Sequence, residues 1–590
     1  MLQRFAVVIG IVAAMVVGAF VIAAPASAAG TPNKSAVFQK KAKTAAKKAA
    51  TTCKQAKRAK GKAKAKAQRR CKSANKQANK ATKARNNYNA QYFDVCKNGC
   101  RFRTVHDGAN AAGAWQKKSK RKATVRIQPG TYVEGVLLHG KDSRFDFDDL
   151  TIMGVGKNKQ PTDDARAVIL DGENATTLVQ GTPGWMPGDD ARVPANNAIE
   201  GRSLVGLKMM NMWARNYQNN TFFVWASNVQ ADNERCADFV MDNLVSSDTR
   251  VYGLFSRNCF GGKFLNSEGW NHGDSALYVG ETPCDTDDWT NRGNNPVPCQ
   301  ADPDWTIVRN LTSHQNTLGY SGTNSKYVKI TDSTFYNNGV GLFPTTLDSE
   351  RFEPNGWLII ENNDIFWNNY NAQSTGSAFE SVIDRGTPTG IGISLLGSDG
   401  VVVKGNNIFG NEQFGAATFS GPALFDVNEG DDAKSMNNQF IDNQMGRSGL
   451  DPNGNYDFFG DFSGGGNCWS GNTPGSTFAP GNGSVSLSTM YPACPLPKVI
   501  NKGVNAAAIL AGTQANSAFI PAKPWKDLTT IFGLYTVNNA PTPNADALQE
   551  CSWSISTPHP PYTDADGISY SEERADPVSL ADCDALVALP

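Results

Sequence analysis

The chain has 590 residues and a formal net charge of +2 at pH 7, which conceals a strong asymmetry. Between Lys34 and Arg85 there are 20 Lys and Arg residues and no acidic residue, whereas 36 basic and 55 acidic residues follow Arg85. A cationic arm therefore precedes an acidic body. After residue 29 no segment is long and apolar enough to cross a membrane, which excludes a membrane span once that first segment is removed.

Residues 1–29 have the features of an export signal. Arg4 supplies the charged end, an unbroken apolar stretch covers residues 5–24, and the small residues at 26–28 fit a cleavage site. An uncleaved anchor is the alternative, because about 20 apolar residues can span a bilayer. We predict that the signal is cleaved. The mature chain is then expected to be either secreted or associated with the cell surface.

Residues 30–93 form the Lys- and Ala-rich arm. No proline follows Pro32 within it, so its residues favour helix, with an interruption near Gly61. Cys53 and Cys71 flank this glycine, which suits a helical hairpin closed by one disulfide. A disordered, solvated tail is the alternative.

The charge of the arm suggests a partner. We predict that residues 34–85 adhere electrostatically to an anionic cell-wall polymer. The alternative is that their charge only keeps the chain soluble. Aromatic residues are nearly absent between Phe38 and Tyr88, so the stacking that base recognition needs is missing. We therefore predict no specific nucleic-acid recognition.

A degenerate hexapeptide recurs through the middle of the chain, in the form NNIFGN at residues 406–411. Its copies are 21 to 45 residues apart, which predicts stacked coils of about 21 to 23 residues with insertions or double coils in the longer gaps. Asparagine at the first and last positions should form inward amide ladders, with Asn406 as a member. The other copies are NMWARN (211–216), NLVSSD (243–248), NSEGWN (266–271), LTSHQN (311–316), DSTFYN (332–337), NDIFWN (363–368) and NQFIDN (438–443).

This pattern resembles the right-handed parallel β-helix family, the pectin-lyase-like superfold. The resemblance implies an all-β solenoid over residues 94–495, with an N-terminal capping helix from Val105 to Lys120. Residues 496–590 would then be an irregular cap or strap, or else a small independent domain. The resemblance is specific for fold only, because the superfold hosts lyases, hydrolases, esterases, epimerases and adhesins. The segments that look like its first coils are TVRIQPGTYVEGVLL (124–138), LTIMGVG (150–156) and AVILDG (167–172).

Four residues are predicted to form a catalytic constellation: His272, Asp274, His314 and Tyr320. They fall on successive coils if residues 281–304 are an insertion, with Asp274 beside Gly319 and Tyr320 beside Ser275. Histidine and tyrosine can exchange protons, and aspartate can orient a histidine or bind a cation. The alternative is that Asp274 caps a turn and Tyr320 packs in the core.

Aromatic residues of the hexapeptides are predicted to contact substrate. Strand alternation should turn the fourth and fifth positions outward, where rings can contact the apolar faces of sugars. The hexapeptide alignment places His314 in one column with Phe409. Ordinary core packing of these rings is the alternative. The predicted substrate-binding residues are Trp270, Phe335, Tyr336, Phe366, Trp367 and Arg385.

With the export signal, the resemblance leads us to predict an exported protein that acts on an extracellular polysaccharide, as a lyase or epimerase of an acidic glycan. Such enzymes abstract the proton next to a carboxylate with a His, Lys, Arg or Tyr base. The chain lacks the Asp-Pro-His element of alginate epimerases, for which Asn271 to Asp274 is a loose substitute, and it lacks the paired aspartates of pectin-hydrolysing relatives. A non-catalytic cell-envelope or polysaccharide-binding protein anchored by its arm is the alternative.

Other acidic groups compete with Asp274 for a catalytic role. They are Asp384 with Arg385, the run from Asp348 to Glu353, and DVNEGDD at residues 426–432. The last has the oxygen ligands that Ca²⁺ takes, although such runs also form solvated turns. No other cofactor is implied.

The 12 cysteines of an exported chain imply disulfides. Metal binding by their thiolates is not expected, because Cys96 and Cys100 have no matching Cys or His pair nearby. We predict pairing between sequence neighbours: Cys53 with Cys71, Cys96 with Cys100, Cys236 with Cys259, Cys284 with Cys299, Cys468 with Cys494, and Cys551 with Cys583.

Overall fold

The chain divides into two compact units, Met1–Ala90 and Gln91–Pro590. The predicted export signal, the calcium run at 426–432, two of the cysteine pairs and nearly all of residues 496–590 lie outside the described residues. The computed structural model describes residues 34–89, 91–162, 164–180, 190–226, 236–283, 304–347, 350–369, 390–411, 413–419, 434–446, 453, 456–461, 464–473, 477–478, 491–498, 527–528 and 535–536.

The first unit contains two helices, α1 (Lys34–Arg58) and α2 (Lys62–Asn89), which pack against each other. Gly61 between them has a φ of 58°, a left-handed conformation that favours glycine. Cys53 and Cys71 form the predicted disulfide. The buried residues of α1 recur every seventh position, so a narrow seam of alanines holds the two helices together. These alanines are Ala42, Ala49 and Ala56.

The second unit is dominated by short strands. Its regular elements are β1 (Tyr92–Val95), α3 (Val105–Ser119), β2 (Thr124–Ile127), β3 (Gly130–Tyr132), β4 (Val136–His139), β5 (Thr151–Gly154), a 3₁₀ turn (Ala165–Ala167), β6 (Val168–Asp171), β7 (Thr176–Gln180), β8 (Asp190–Pro194), β9 (Asn197–Arg202), β10 (Lys208–Arg215), β11 (Asn220–Trp225), β12 (Val240–Thr249), β13 (Leu254–Arg257), β14 (Lys263–His272), β15 (Ser275–Gly280), β16 (Thr306–His314), β17 (Leu318–Thr323), β18 (Val328–Thr331), β19 (Thr334–Tyr336), β20 (Val340–Thr345), β21 (Ile359–Glu361), β22 (Asp364–Phe366), β23 (Ile391–Leu396), β24 (Val402–Lys404), β25 (Asn407–Phe409), β26 (Phe414–Phe419), β27 (Gln439–Ile441), β28 (Gln444–Met445), β29 (Tyr456–Gly460), β30 (Cys468–Ser470), β31 (Thr477–Phe478), β32 (Asp527–Leu528) and β33 (Tyr535–Thr536).

These strands stack into three parallel faces, and the chain runs through faces 1, 2 and 3 before it starts the next coil. The long strands β10, β12, β14 and β16 bend at a corner and contribute to both face 1 and face 2. The pairs β7–β8 and β32–β33 are antiparallel. The body is thus a parallel β-helix, as predicted. Face 1 also contains β1, β2, β5, β18, β21, β24, β27 and β30; face 2 contains β3, β6, β19, β22, β25 and β28; and face 3 contains β4, β9, β11, β13, β15, β17, β20, β23, β26, β29 and β31.

The corner between faces 1 and 2 is one residue in the left-handed conformation, and the residue after it points inward. Asn406 is such an inward residue and is fully buried. Its Oδ1 accepts from the Nδ2 of Asn363 at 2.9 Å, and its own Nδ2 donates to the Oδ1 of Asn443 at 2.9 Å. The predicted amide ladder at Asn406 is confirmed. The left-handed corner residues are Asn211, Asn243, Asn266, Asn310, Asp332, Asn362, Gly405, Asp442 and Gly471.

A second left-handed corner and a second ladder separate face 2 from face 3. Asn338 donates to Asn368 and Asn368 donates to Asn411, both at 3.1 Å. His272 is in the same column, because its backbone N–H donates to the Oδ1 of Asn316 at 3.0 Å.

Five copies of the hexapeptide alignment are corrected. The copies that begin at residues 211, 243, 266 and 332 are one position too early, since those residues are left-handed corners. The copy at residues 438–443 is five positions too early, because its last residue, Asn443, pairs with Asn406.

The helix α3 packs against β1, β2 and β4. It begins where Thr104 accepts a hydrogen bond from the backbone of Asp107 at 3.1 Å.

Besides the pair in the first unit, disulfides join Cys96 to Cys100, Cys236 to Cys259 and Cys468 to Cys494, as predicted. Among the described helices, none is both long and apolar enough to cross a membrane.

Candidate active site

Two of the four predicted catalytic residues lie inside the solenoid. His272 is fully buried, with Nε2 3.0 Å from the Ser246 hydroxyl and Nδ1 2.6 Å from the Thr249 hydroxyl. Burial lowers the pKa of His272 to about 3, so the imidazole is neutral. A residue in the inner ladder cannot reach a polysaccharide outside, so the prediction that His272 meets substrate is corrected.

Tyr320 is also fully buried in the core. It pairs with Leu277 and not with Ser275, because the register of β15 and β17 differs from the predicted one. Its phenol is 3.5 Å from the Ser325 hydroxyl, and burial raises its pKa. The core alternative is therefore the correct one for Tyr320.

His314 lies on a different part of the solenoid, at the end of its face 2 strand. Its imidazole stacks between Trp270, at 5.7 Å, and Tyr336, at 5.0 Å. Nε2 lies 3.3 Å from the Oε1 of Glu268, whose side chain also pairs with Arg166 at 2.7 Å. The structure therefore does not bring the four predicted residues together in one outward site.

The outer aromatic residues of face 2 form one ladder along the solenoid axis. Register puts Trp270, His314, Tyr336, Phe366 and Phe409 in the same column. Successive rings stack, for example Phe366 on Phe409 at 4.8 Å with an interplanar angle of 1°. Rings that stack on each other along the axis do not offer their faces to a sugar lying on the sheet. Tyr336 and Phe366 are moreover at most 2% exposed.

The remaining predicted substrate contacts are also revised. Phe335 is fully buried in the core. Trp367 is 9% exposed and occupies a left-handed corner, with its ring edge-on to Phe366 at 5.6 Å. Arg385 lies outside the described residues. Of the predicted aromatic residues Trp270 is the half-buried one, and the guanidinium of Arg166 lies 5.6 Å from its ring centre.

The fourth predicted catalytic residue, Asp274, belongs to a polar cluster on the outer side of face 3. It is half-buried just before β15 and accepts a hydrogen bond from the Ser321 hydroxyl at 3.4 Å. Tyr252 also hydrogen-bonds its carboxylate. Burial raises the pKa of Asp274 to about 7, although hydrogen bonds from Ser275, Ser321 and Tyr252 favour the ionised form. The negative charge of Glu350 raises this pKa further.

Glu350 is the second carboxyl group of the cluster. Its Oε2 accepts a hydrogen bond from the phenol of Tyr278 at 2.7 Å. Burial raises the pKa of Glu350, with the Tyr278 hydrogen bond acting in the opposite direction. Asn324 is buried, and its Nδ2 donates to the backbone carbonyls of Leu347 at 2.7 Å and Glu350 at 2.9 Å. The amide therefore fixes the backbone that carries Glu350.

Two tyrosines lie between the carboxyl groups. The rings of Tyr252 and Tyr278 are 4.7 Å apart, and Phe255 packs at 4.6 Å from the first and 4.9 Å from the second. Burial raises the pKa of both phenols well above the usual value, so both stay protonated. Tyr252 hydrogen-bonds to Asp274 and Tyr278 hydrogen-bonds to Glu350. The two carboxyl groups are thus connected through one pair of neutral donors.

An ion pair between a half-buried arginine and a buried glutamate completes the cluster. Arg257 donates to the Oε1 of Glu281 at 2.8 Å, and Glu281 is 1% exposed. The hydrogen bond to Glu281 is the main reason that the pKa of Arg257 is raised. The Oε2 of Glu281 and the Nε of Arg257 have no hydrogen-bond partner within the described part of the chain.

Sequence reasoning found Asp274 and included Glu350 in a competing acidic run, but it missed Tyr252 and Tyr278. A usable signal was present in SALYVG, residues 275–280, where alternation puts Tyr278 on the outer side next to the inward Leu277. The described residues contain no group of three His, Cys, Asp or Glu side chains placed to hold a metal ion.

Comparison with known proteins gives similarity at the level of fold. No protein-family model and no curated protein matches the chain. Among solved structures, the chain is similar to the mannuronan C-5 epimerase A-module of Azotobacter vinelandii, with 16% identity, 63% of this chain and 93% of that chain covered, and a TM-score of 0.37. It is similar to a lacto-N-biosidase of Eubacterium ramulus, with 8% identity, 70% and 71% covered, and a TM-score of 0.36. An α-1,3-glucanase of Streptomyces thermodiastaticus has 15% identity, 64% and 67% covered, and a TM-score of 0.32.

Proposed function

We propose that the protein is an enzyme that hydrolyses glycosidic bonds of an extracellular polysaccharide on the outer side of face 3. The supporting observation is the pair of carboxyl groups, Asp274 and Glu350, joined through two neutral tyrosines. Hydrolysis of a glycoside needs one carboxylic acid to protonate the leaving oxygen and one carboxylate to act on the other side of the sugar. A pKa of about 7 gives Asp274 a proton to donate near neutral pH.

The reaction follows from these protonation states. Asp274 gives its proton to the glycosidic oxygen while the bond from that oxygen to the anomeric carbon breaks. Water adds to the anomeric carbon, and its proton passes to the carboxylate of Glu350. The hydrogen bond from Tyr278 favours the ionised form of Glu350 and orients it. Asp274 and Glu350 are therefore assigned as acid and base.

The cluster supports a neutral glycan in preference to the acidic one that the sequence suggested. A lyase or epimerase of uronates needs a cation or polar group that neutralises the substrate carboxylate before the adjacent proton is removed. The guanidinium of the cluster, Arg257, already pairs with Glu281 at 2.8 Å. The carboxylate of Glu350, ionised in the proposed reaction, would repel a further carboxylate. Burial raises the pKa of both phenols, so they stay protonated and cannot accept a proton from the substrate.

The test is a screen of the purified protein against neutral and acidic polysaccharides, with reducing ends and ultraviolet-absorbing products measured together. We expect reducing ends without ultraviolet absorption from a neutral polymer, and loss of that activity by at least about 100-fold in Asp274→Asn and Glu350→Gln. Glu361→Gln is the matched control, because Glu361 forms a partly exposed ion pair with Lys329 on face 1. An ultraviolet-absorbing product would indicate a lyase, and retention without turnover would indicate a binding protein.

We also infer that the protein is exported and that α3 closes the first coil. The four described disulfides suit an oxidising compartment. The buried side of α3, including Val105, Ala109 and Ala112, lies in the core of the solenoid. Covering the end of the sheet in this way protects it from edge-to-edge association.

A further inference from the structure

The helical hairpin of α1 and α2 carries positive charge that its own sequence does not neutralise. Between Lys34 and Arg85 there are 16 lysines and four arginines, and residues 34–89 contain no Asp or Glu. Each Lys and Arg from Lys40 to Lys80 whose burial is described is exposed. The arm is therefore a rod with cations over its described surface.

The charge density of this rod is close to that of a nucleic-acid duplex, with opposite sign. A helix of 28 residues, the length of α2, is about 42 Å long at about 1.5 Å per residue. Because α1 runs beside it, the 20 charges are spread at about one per 2 Å of rod. Duplex DNA has about one charge per 1.7 Å. At physiological ionic strength charges interact over about 8 Å, so each cation repels several others.

The packing of the hairpin brings these charges together in spite of their repulsion. Ala42, Ala49 and Ala56 line the buried side of α1, and small side chains allow close approach of the helix axes. The disulfide between Cys53 and Cys71 ties the helices near their connection. Bound anions would relieve the repulsion, and binding should therefore stabilise the hairpin.

We propose that the arm is a binding module for a linear, base-free polymer of phosphate groups, such as the phosphodiester chains of a cell wall. Lysine predominates among its cations, and lysine binds phosphate as a point charge without a fixed geometry. The near absence of aromatic residues between Phe38 and Tyr88 removes the stacking on which binding of bases relies. Affinity is then set by charge density. This inference does not depend on the site on face 3.

Binding of the full chain to linear polyphosphate, measured over a series of salt concentrations, tests the proposal. The variant carries Lys47→Gln, Lys54→Gln, Lys64→Gln and Lys76→Gln, since glutamine and lysine have similar helix propensities. Its matched control carries Arg at the same four positions. We expect the slope of log affinity against log salt to fall in magnitude by about 3 in the Gln variant. The Arg variant should keep the original slope.

The helical signal should also report binding. Polyphosphate should raise the thermal stability of α1 and α2 in the original chain, and the gain should disappear at high salt. An unchanged slope in the Gln variant, or equal losses in the Gln and Arg variants, would overturn the proposal. A clear preference for single-stranded DNA over polyphosphate at equal phosphate concentration would overturn it as well, because it would show recognition of bases.

Discussion

Tyr278 and Glu350 are 72 residues apart in sequence and are joined by a hydrogen bond of 2.7 Å. The bond connects a face 3 strand to the turn that follows a later strand of the same face. Because the phenol donates, it favours the ionised carboxylate against the burial that raises the pKa of Glu350. One hydrogen bond thus positions the proposed base and favours its ionised form.

Removal of the Tyr278 phenol should weaken the action of Glu350 as a base without abolishing it. In Tyr278→Phe we expect kcat to fall by about 10- to 100-fold with little change in KM. The pKa of Glu350 should rise, so the acidic limb of the pH profile should move to higher pH. Tyr336→Phe, in the face 2 ladder, is the control and should leave the profile unchanged. A normal kcat in Tyr278→Phe would remove this hydrogen bond from the mechanism.

Asn324 should act as a positioning residue. Its φ of 51° is left-handed, so Asn324→Gly keeps the backbone conformation while removing the amide that holds the turn of Glu350. We expect a fall in kcat and a changed pH profile. Asn310→Gly is the matched control, because Asn310 is also left-handed, at 54°, in a corner of faces 1 and 2. It should lose some stability and keep its pH profile. Equal effects on kcat would indicate a general structural cause.

His272 should matter for stability and not for turnover. We expect His272→Ala to reduce the free energy of unfolding by about 1 to 3 kcal/mol, because Ser246 and Thr249 lose their partner. The pKa is lowered in the folded state to about 3 from 6.5. The unfolded state therefore binds more protons between these values, and stability should fall as the pH falls from 6.5 towards 3. Chemical denaturation of His272→Asn should show a weaker pH dependence. A specific loss of kcat in folded His272→Ala would restore a catalytic role.

Asn406→Leu should interrupt the first ladder. Asn363 and Asn443 would lose the amide between them, and we expect a cost of about 1 to 3 kcal/mol. Asn407→Ala is the control, since Asn407 is half-buried and its amide bonds to one side chain, Asp364. Its cost should be smaller. Equal midpoints of unfolding for Asn406→Leu and the original chain would contradict the role of the ladder.

The sequence predicted the β-helix and the burial of Asn406, because the repeat places amides where stacked coils need them. It did not give the frame of every repeat. The left-handed corner and the inward ladder are adjacent columns, and both favour asparagine, as Asn266 and Asn406 show. A pattern of asparagines alone cannot distinguish the two. The copy at residues 266–271 is therefore predicted one residue too early. In that frame His272 follows the hexapeptide, whereas in the structure it belongs to the inward ladder.

The candidate site was only partly visible for a different reason. Asp274 stood out as an acidic residue beside a strand, and Glu350 was present in an acidic run. Tyr252 and Tyr278 resemble ordinary strand residues until the coils are stacked. Strand alternation predicts that the rings of face 2 point outward, but it does not show whether an outward ring is covered by other residues. Phe366 points away from the core of the solenoid and is nevertheless fully buried.

The pH dependence of Asp274 offers a test in the absence of substrate. Its pKa is raised from 3.8 to about 7 in the folded state, so the folded protein binds more protons between these values. Stability should therefore fall as the pH rises through about 7. Asp274→Asn should remove that loss. Urea unfolding at pH 5 and pH 8 compares the two proteins, and an equal change in both would show that Asp274 does not titrate in this range.

Hydrolysis by the Asp274 and Glu350 pair is tested by measuring the reducing ends that the original protein and Asp274→Asn release from a neutral polysaccharide. The predicted result is an activity that declines as the pH rises through about 7, gives no ultraviolet-absorbing product, and falls at least about 100-fold in the variant while the fold is retained. Activity that persists in folded Asp274→Asn, or a product that absorbs in the ultraviolet, would contradict hydrolysis by the Asp274 and Glu350 pair.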